Sequence, residues 1–352
     1  MRWAGYVFLA LFLMLCAGAV VLGGEPPRPE IAKSPRDIEA NFVELISKSE
    51  KPVRAVLFDT TSATLIVTGV DGRIRILAVP SGKMIREFVH PGGATALDQS
   101  PNGHDIATVG YDGTLRLWDL ASGAARIVRV SAQSLWTVRF SLDGKLLAVA
   151  GEDKLIHLLT SDGMPIRTLA GHQRNIWDLA FSPDSRTLAS GSFDHALKIW
   201  DVASGHLLRT EVQHKQAIVA LDIERKNGLI ATGGDDATLR FWRPNGTLLR
   251  TLPAGQFVDA AAFSADGRWL ISAGRESHGV NAIFKALFGR HPFGGSNPTA
   301  RLWRVADGIL VAELKHQPDD VVAVAFSPDG SWLATGSDDG SVALWRLSLT
   351  GR

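Results

Sequence analysis

Histidine and cysteine set the chemistry open to this chain, and the supply is uneven: ten of the first and one of the second. Cys16 lies in an N-terminal apolar run, so the rest of the chain has no thiol for a disulfide, a zinc cluster, a haem attachment or a nucleophile. The Gly-Gly pairs at 92–93, 233–234 and 294–295 lack the following Lys-Ser/Thr of a phosphate-binding loop. Asp-Gly pairs include those that begin at Asp71, Asp112, Asp143, Asp162, Asp266, Asp307 and Asp329. Each connects two strand-like runs with a glycine at positive φ, which accounts for the aspartate without calcium. His104, His157, His195, His206, His278 and His291 are scattered among different turns and strands. No catalytic constellation, metal site or cofactor is therefore expected. A formal net charge of +1 gives no electrostatic case for a nucleic-acid partner either.

The elements that hold these residues repeat. Equivalent positions read Trp118, Leu159, Trp200, Trp242, Trp303 and Trp345, at spacings of 41, 41, 42, 61 and 42. The stretch from His172 to Trp200 shows the unit. Ile176, Leu179 and Phe181 mark one strand, Ser-Pro-Asp-Ser at 182–185 turns the chain, and Thr187 to Ser190 starts a second. Phe193-Asp194-His195 connects to a third strand ending at Trp200, and Ser204-Gly205 leads to a fourth. Four short strands between Gly, Pro, Asp and Ser clusters form an antiparallel meander. A single such sheet cannot cover both of its faces, whereas several stacked around an axis can, so the period predicts a radial β array.

These residues resemble the WD-repeat family of β-propellers, over roughly residues 40–350. The resemblance implies a buried hydrogen-bonded set in each blade: a His before the first strand, a Ser or Thr in the second, an Asp in the next turn and a Trp in the third. By position the sets are His90, Thr108, Asp112 and Trp118; His172, Ser190, Asp194 and Trp200; His214, Thr232, Asp236 and Trp242. The last blade offers His316, Thr335, Asp339 and Trp345, with one extra residue in its leading loop. A Ser/Thr hydroxyl and an imidazole together can satisfy a buried indole N–H and a buried carboxylate. Blade 1 has Asp71 with Leu77, blade 3 has Asp153 with Leu159, and blade 6 has Glu276 without a His. Those three blades are expected to rely on apolar packing.

Seven first strands can be counted, beginning near Val53, Thr95, Leu135, Ile176, Ile218, Val258 and Val321. The last unit ends one strand short, and Asn41 to Ile46 resembles the closing strands of other units. The expectation is thus an all-β, seven-bladed propeller over residues 38–352, closed by its N-terminal strand, which leaves no unpaired seam.

Residues 1–24 read as a targeting segment and 25–37 as a Pro-rich linker. Arg2 precedes an apolar run over residues 3–22, long enough to span a bilayer, while Ala17-Gly18-Ala19 would suit a cleavage site. Cleaved signal and retained anchor both remain open; Arg2 on the near side predicts export in either case.

Two surfaces are candidates for function. The resemblance implies that residues four before the end of each first strand, and those just before the turn Asp, crowd the mouth of the central channel, where partners dock. Here the first class is Arg54, Thr95, Trp136, Trp177, Val219, Asp259 and Val322. The second is Val70, Tyr111, Glu152, Phe193, Asp235, Arg275 and Asp338. Tyr111, Trp136, Trp177 and Phe193 fall on adjacent blades, and aromatics are what interface hot spots favour. The other surface is an insertion over residues 275–298, where Ile283, Phe284, Leu287 and Phe288 recur at helical spacing. That stripe could lie on its own propeller as a lid, meet a partner, or rest on a membrane. Taken together, these features predict a monomeric, non-catalytic protein-binding scaffold or assembly factor in an extracytoplasmic compartment, periplasmic or anchored to the inner membrane. The alternative is a propeller enzyme or ligand-binding protein with its site at the channel.

Overall fold

Each repeat folds as one four-stranded antiparallel sheet, and the computed structural model, which describes residues 38–275 and 299–349, contains seven of them. Blade 4 is representative, with strands Ile176–Phe181, Thr187–Ser192, Leu197–Asp201 and Leu207–Glu211. Its first turn is built by one hydroxyl: Ser182 Oγ donates to Asp184 at 2.6 Å and accepts the Thr187 N–H at 2.9 Å. The same Ser–Asp pairing recurs at Ser141/Asp143, Ser264/Asp266 and Ser327/Asp329. Turn chemistry of this local kind fixes where each hairpin reverses, independently of packing.

Burial is graded from the axis outward. The second strand of blade 4 is buried almost throughout and the fourth is mostly exposed. The core is accordingly not one volume but a set of layers between neighbouring blades. One such layer joins Leu197 and Ile199 of blade 4 to Ile218, Leu221 and Trp242 of blade 5. Strands covered on both faces tolerate only apolar or small residues, as in Leu146–Gly151 (LLAVAG).

Five of the seven first strands begin at the residue the sequence predicts; the second begins at Ala94 and the sixth at Ala260. The ring closes as expected. Glu39–Lys48 pairs antiparallel with Ser341–Ser348, placing Phe42 opposite Trp345. Among the described residues no helix is long and apolar enough to cross a membrane. The targeting segment, the linker, and the stripe of Ile283, Phe284, Leu287 and Phe288 lie outside the described residues, as does Glu276.

Three hydrogen-bonded sets form as the resemblance implied. In blade 4 the Trp200 indole donates to Ser190 Oγ at 2.9 Å, Ser190 meets His172 Nε2 at 2.7 Å, and His172 Nδ1 meets Asp194 at 2.9 Å. Burial lowers the His172 pKa, so the ring is neutral and relays a hydrogen bond from Ser190 to the Asp194 carboxylate. Blade 5 repeats this with His214, Thr232, Asp236 and Trp242. In blade 2 the imidazole is turned over: His90 Nδ1 meets Thr108 at 2.9 Å and Nε2 meets Asp112 at 3.1 Å, while Trp118 donates to Thr108.

The last blade corrects the sequence reading. Trp345 donates to Thr335, but Thr335 donates to Gln317 Oε1 at 2.6 Å, and it is Gln317, not His316, that occupies the imidazole's place. Gln317 Nε2 reaches Ser341 Oγ at 3.3 Å, whose hydroxyl donates to Asp339. A carboxamide offers one acceptor and one donor group, as a neutral imidazole does. The extra loop residue shifts the histidine out by one position.

The three irregular blades also hold more polar bonding than expected. Leu77 and Leu159 are buried in core layers. Yet Asp71 pairs with Arg75, and Asp153 pairs with His157 at 2.8 Å. In blade 6 Trp303 donates to Ser272 at 2.8 Å, and Gln256 Nε2 donates to the Thr299 carbonyl at 2.7 Å.

Candidate interaction site at the channel mouth

A recurring defect in the sheets supplies this site. In six blades the pairing of first and second strands slips by one residue, between Val53/Ala55, Ala94/Ala96, Leu135/Thr137, Ile176/Asp178, Ile218/Ala220 and Val321/Ala323. The residue passed over in each case is Arg54, Thr95, Trp136, Trp177, Val219 or Val322. A bulged residue leaves the ladder and its side chain is re-aimed. These are the positions the sequence assigned to the channel mouth, and with Asp259 of blade 6 all seven line one cavity of about 1570 Å³. Of the second class, Val70, Tyr111, Glu152, Phe193, Arg275 and Asp338 line the same cavity, and Asp235 does not.

The four aromatic candidates come together as one run. Trp136 and Trp177 stack with ring centroids 4.8 Å apart and planes at 15°. Tyr111 meets Trp136 edge-on at 5.5 Å, and Phe193 closes the other end against Trp177 at 5.3 Å. All four are half-buried. Mutual stacking of this kind contributes about 0.5–1.5 kcal/mol per pair beyond the buried area. It fixes the rotamers of both tryptophans before any partner arrives, which reduces the entropy lost on docking.

The opposite arc is charged. Arg275 bonds Asp235 at 2.6 Å and pairs with Asp259 at 3.1 Å, with Asp320 and Asp338 close enough to act on its charge. Arg54 pairs with Asp338 at 3.0 Å, which joins blade 1 to blade 7. Burial pushes the Asp259 carboxyl up to about 7, against the pull of Arg275, and the neighbouring carboxylates add to the rise. For Arg275 burial disfavours the charge, but Asp259 and Asp235 outweigh it and its pKa is raised. Sequence reasoning placed these residues at the mouth but did not pair them. For Asp235 and Arg275 a signal was available, opposite charge at equivalent positions of neighbouring blades.

Deeper in the channel, aspartates tie blade to blade. Asp98 accepts the Phe140 N–H at 2.7 Å, Asp178 that of Leu221 at 3.0 Å, and Asp222 that of Phe263 at 2.7 Å. Arg139 pairs with Asp178 at 2.8 Å. Burial raises Asp222 to about 6. These groups are spent on backbone bonds, so they read as staples. Among the described residues that line the cavity there is no histidine or cysteine. No group of three or more His, Cys, Asp or Glu among the described residues is arranged to hold a metal ion.

Comparison with known proteins agrees with this architecture. Residues 38–278 match the family model described as the IFT122 first beta-propeller, and residues 308–346 match the WD domain, G-beta repeat. Among curated relatives, the chain is 26% identical over 168 residues to small ribosomal subunit protein RACK1y of Oryza sativa subsp. japonica, covering 45% of this chain and 43% of that protein. It is 31% identical over 175 residues to nuclear distribution protein PAC1 of Arthroderma otae, covering 46% of this chain and 33% of that one. Nuclear distribution protein nudF of Aspergillus niger is 30% identical over 166 residues, again 46% of this chain and 33% of the relative. The chain thus spans less than half the length of the curated relatives it matches. With seven four-stranded blades, indole–hydroxyl sets at the family positions and a family model matched over more than half of the chain, this protein belongs to the WD-repeat β-propeller family.

Proposed function

We propose that this chain is a non-catalytic, protein-binding scaffold or assembly factor that works outside the cytoplasm. The observation that carries the binding reading is the run Tyr111–Trp136–Trp177–Phe193, a preformed aromatic surface at the mouth of a cavity of about 1570 Å³. Large aromatics locked in place on a concave surface are what binding energy concentrates on. Fold alone does not fix function, so the weight rests on this surface. The compartment rests on Arg2 and the apolar run over residues 3–22. The insertion, with Ile283, Phe284, Leu287 and Phe288, enters on its spacing alone, as a second contact beside the aromatic run.

The experiment is affinity purification of the tagged full chain from membranes, compared with a Trp136→Ala, Trp177→Ala double variant. Loss of co-purifying protein with an unchanged melting temperature supports docking at the mouth. Retention of the same partners by a folded double variant overturns it. A phosphatase fused after Arg352 tests the compartment: it is active if the domain is exported and silent if it stays in the cytoplasm.

A site for a small molecule at the channel is the second reading, favoured by Asp259, a carboxyl raised to about 7 that lines the cavity. Turnover or saturable binding of a small molecule, lost on Asp259→Asn while partner capture persists, would favour it.

A further inference from the structure

Among the described residues, two buried atoms of channel-mouth side chains have no hydrogen-bond partner, and they are of opposite kind. The indole N–H of Trp136 is a donor, and Oδ2 of Asp259 is an acceptor when the carboxyl is ionised. Both residues line the same cavity. The Asp259 side chain is 8% exposed, and its other oxygen, Oδ1, is held by Arg275. Buried polar atoms are normally paired, so an orphaned donor and an orphaned acceptor on residues that line one concave space point to a ligand that carries both counterparts.

Charge decides what kind of ligand. The linked cluster that contains Asp259 sets two guanidinium groups, Arg275 and, through Asp338, Arg54, against four carboxylates, Asp235, Asp259, Asp320 and Asp338, an excess of two negative charges when all are ionised. Blades 2 to 4 present the aromatic run, whose faces attract cations and cover apolar stems. We infer that the mouth receives a lysine or arginine side chain of a partner polypeptide, its charged head donating to Asp259 Oδ2 and a carbonyl of the same segment accepting from Trp136 Nε1. The inference rests on the docking reading above and adds the chemistry of the residue that docks. Burial holds the Asp259 carboxyl at about 7, so a cation seated there draws off a proton and binds more tightly at pH 8 than at pH 6. Arg275, Asp235, Asp320 and Asp338 are the charged groups that face it.

The test is a titration of the ¹⁵N-labelled full chain, observed at its indole N–H signals. The probes are Nα-acetyl-arginine methylamide, Nα-acetyl-lysine methylamide and, as control, Nα-acetyl-glutamate methylamide. The expected result is saturable shifts of the Trp136 and Trp177 signals with both basic probes and not with the acidic one. Asp259→Asn should weaken the basic probes about ten-fold, the loss of one charge-assisted bond. Equal response to the acidic probe, or no saturable response to the basic ones, overturns the inference. If Asp259→Asn does not fold, the wild-type titration at pH 6 and pH 8 decides, since equal affinities would remove Asp259 from the site. Partner capture separates the two levels. Capture lost with the tryptophan pair but indifferent to Asp259→Asn sinks this inference and leaves the docking reading standing.

Discussion

The ring of His316 lies parallel to that of Phe42, centroids 4.1 Å apart and planes at 10°, and both rings meet Trp345 at 5.4 Å. A residue of the last blade's leading loop is thereby stacked on the strand that comes from the other end of the domain. The histidine displaced from the hydrogen-bonded set has become part of the seam. Its removal should therefore cost only the stack, about 0.5–1.5 kcal/mol for His316→Ala. Gln317→Ala strands the Thr335 hydroxyl and the Ser341 carbonyl, and should cost about 1–3 kcal/mol. Urea denaturation of the two variants checks the order; a larger loss at His316 would return that residue to the set.

Asp194→Ala should destabilise the fold by about 1–3 kcal/mol at neutral pH, because the buried His172 N–H loses its acceptor. The carboxyl, despite burial, is held down to about 2 by its hydrogen bond to His172, by the attraction of that ring when it is protonated in acid, and by two backbone N–H groups. A lowered acid contributes stability above its unfolded value near 3.8 and loses it as pH falls through about 2. The gap between wild type and Asp194→Asn should accordingly narrow below pH 3.8. A gap that stays constant down to pH 2 would mean that the carboxylate gains nothing from folding.

Asp259 predicts the opposite pH dependence. Its carboxyl ionises near 3.8 in the unfolded chain and at about 7 in the folded one. Between these values the folded state keeps a proton that the unfolded state has released, so this group's contribution falls as pH rises through the window. Relative to wild type, Asp259→Asn should become progressively more stable from about pH 4 to about pH 7 and then level off. Denaturation midpoints across that range give the answer, and a pH-independent difference would show that the carboxyl is ionised throughout.

Deleting residues 41–47 removes most of the strand that covers Ser341–Ser348, whereas deleting 25–35 leaves that pairing untouched. The first truncation should melt earlier and aggregate through the bared edge. The second should match wild type. Thermal melting with size-exclusion chromatography tests this, and equal behaviour would mean that the pairing adds no stability.

What could be read from the sequence was what repeats locally. The Trp spacing, the Ser–Asp turns and the strand ends recur within about 41 residues, so one well-formed unit teaches the others. The WD-repeat resemblance, applied by counting back four residues from each strand end, picked out the six bulged positions and Asp259, because the bulge sits at a fixed offset from the turn. Gln317 escaped because its role depends on donor and acceptor atoms that a glutamine shares with histidine, while the pattern sought was a residue type. The Asp235–Arg275–Asp259 cluster and the Arg54–Asp338 pair escaped for a different reason. Arg54 and Asp338 stand 284 positions apart and meet only when the ring has closed.

Closure also imposes a timetable. The strand Glu39–Lys48 is the first of the domain to be synthesised, and its partner Ser341–Ser348 is the last. At about 5–20 residues per second, the first strand waits roughly 15–60 s for the one it will pair with. Throughout that interval it is an orphan edge, free to add itself to any sheet forming nearby. Glu39, Glu44 and Lys48 place charges along it, and its register breaks between Phe42/Glu44 and Leu45/Ser47, so it suits few templates. The strand that seals the ring thus carries charges and a broken register that make it a poor match for a foreign sheet edge.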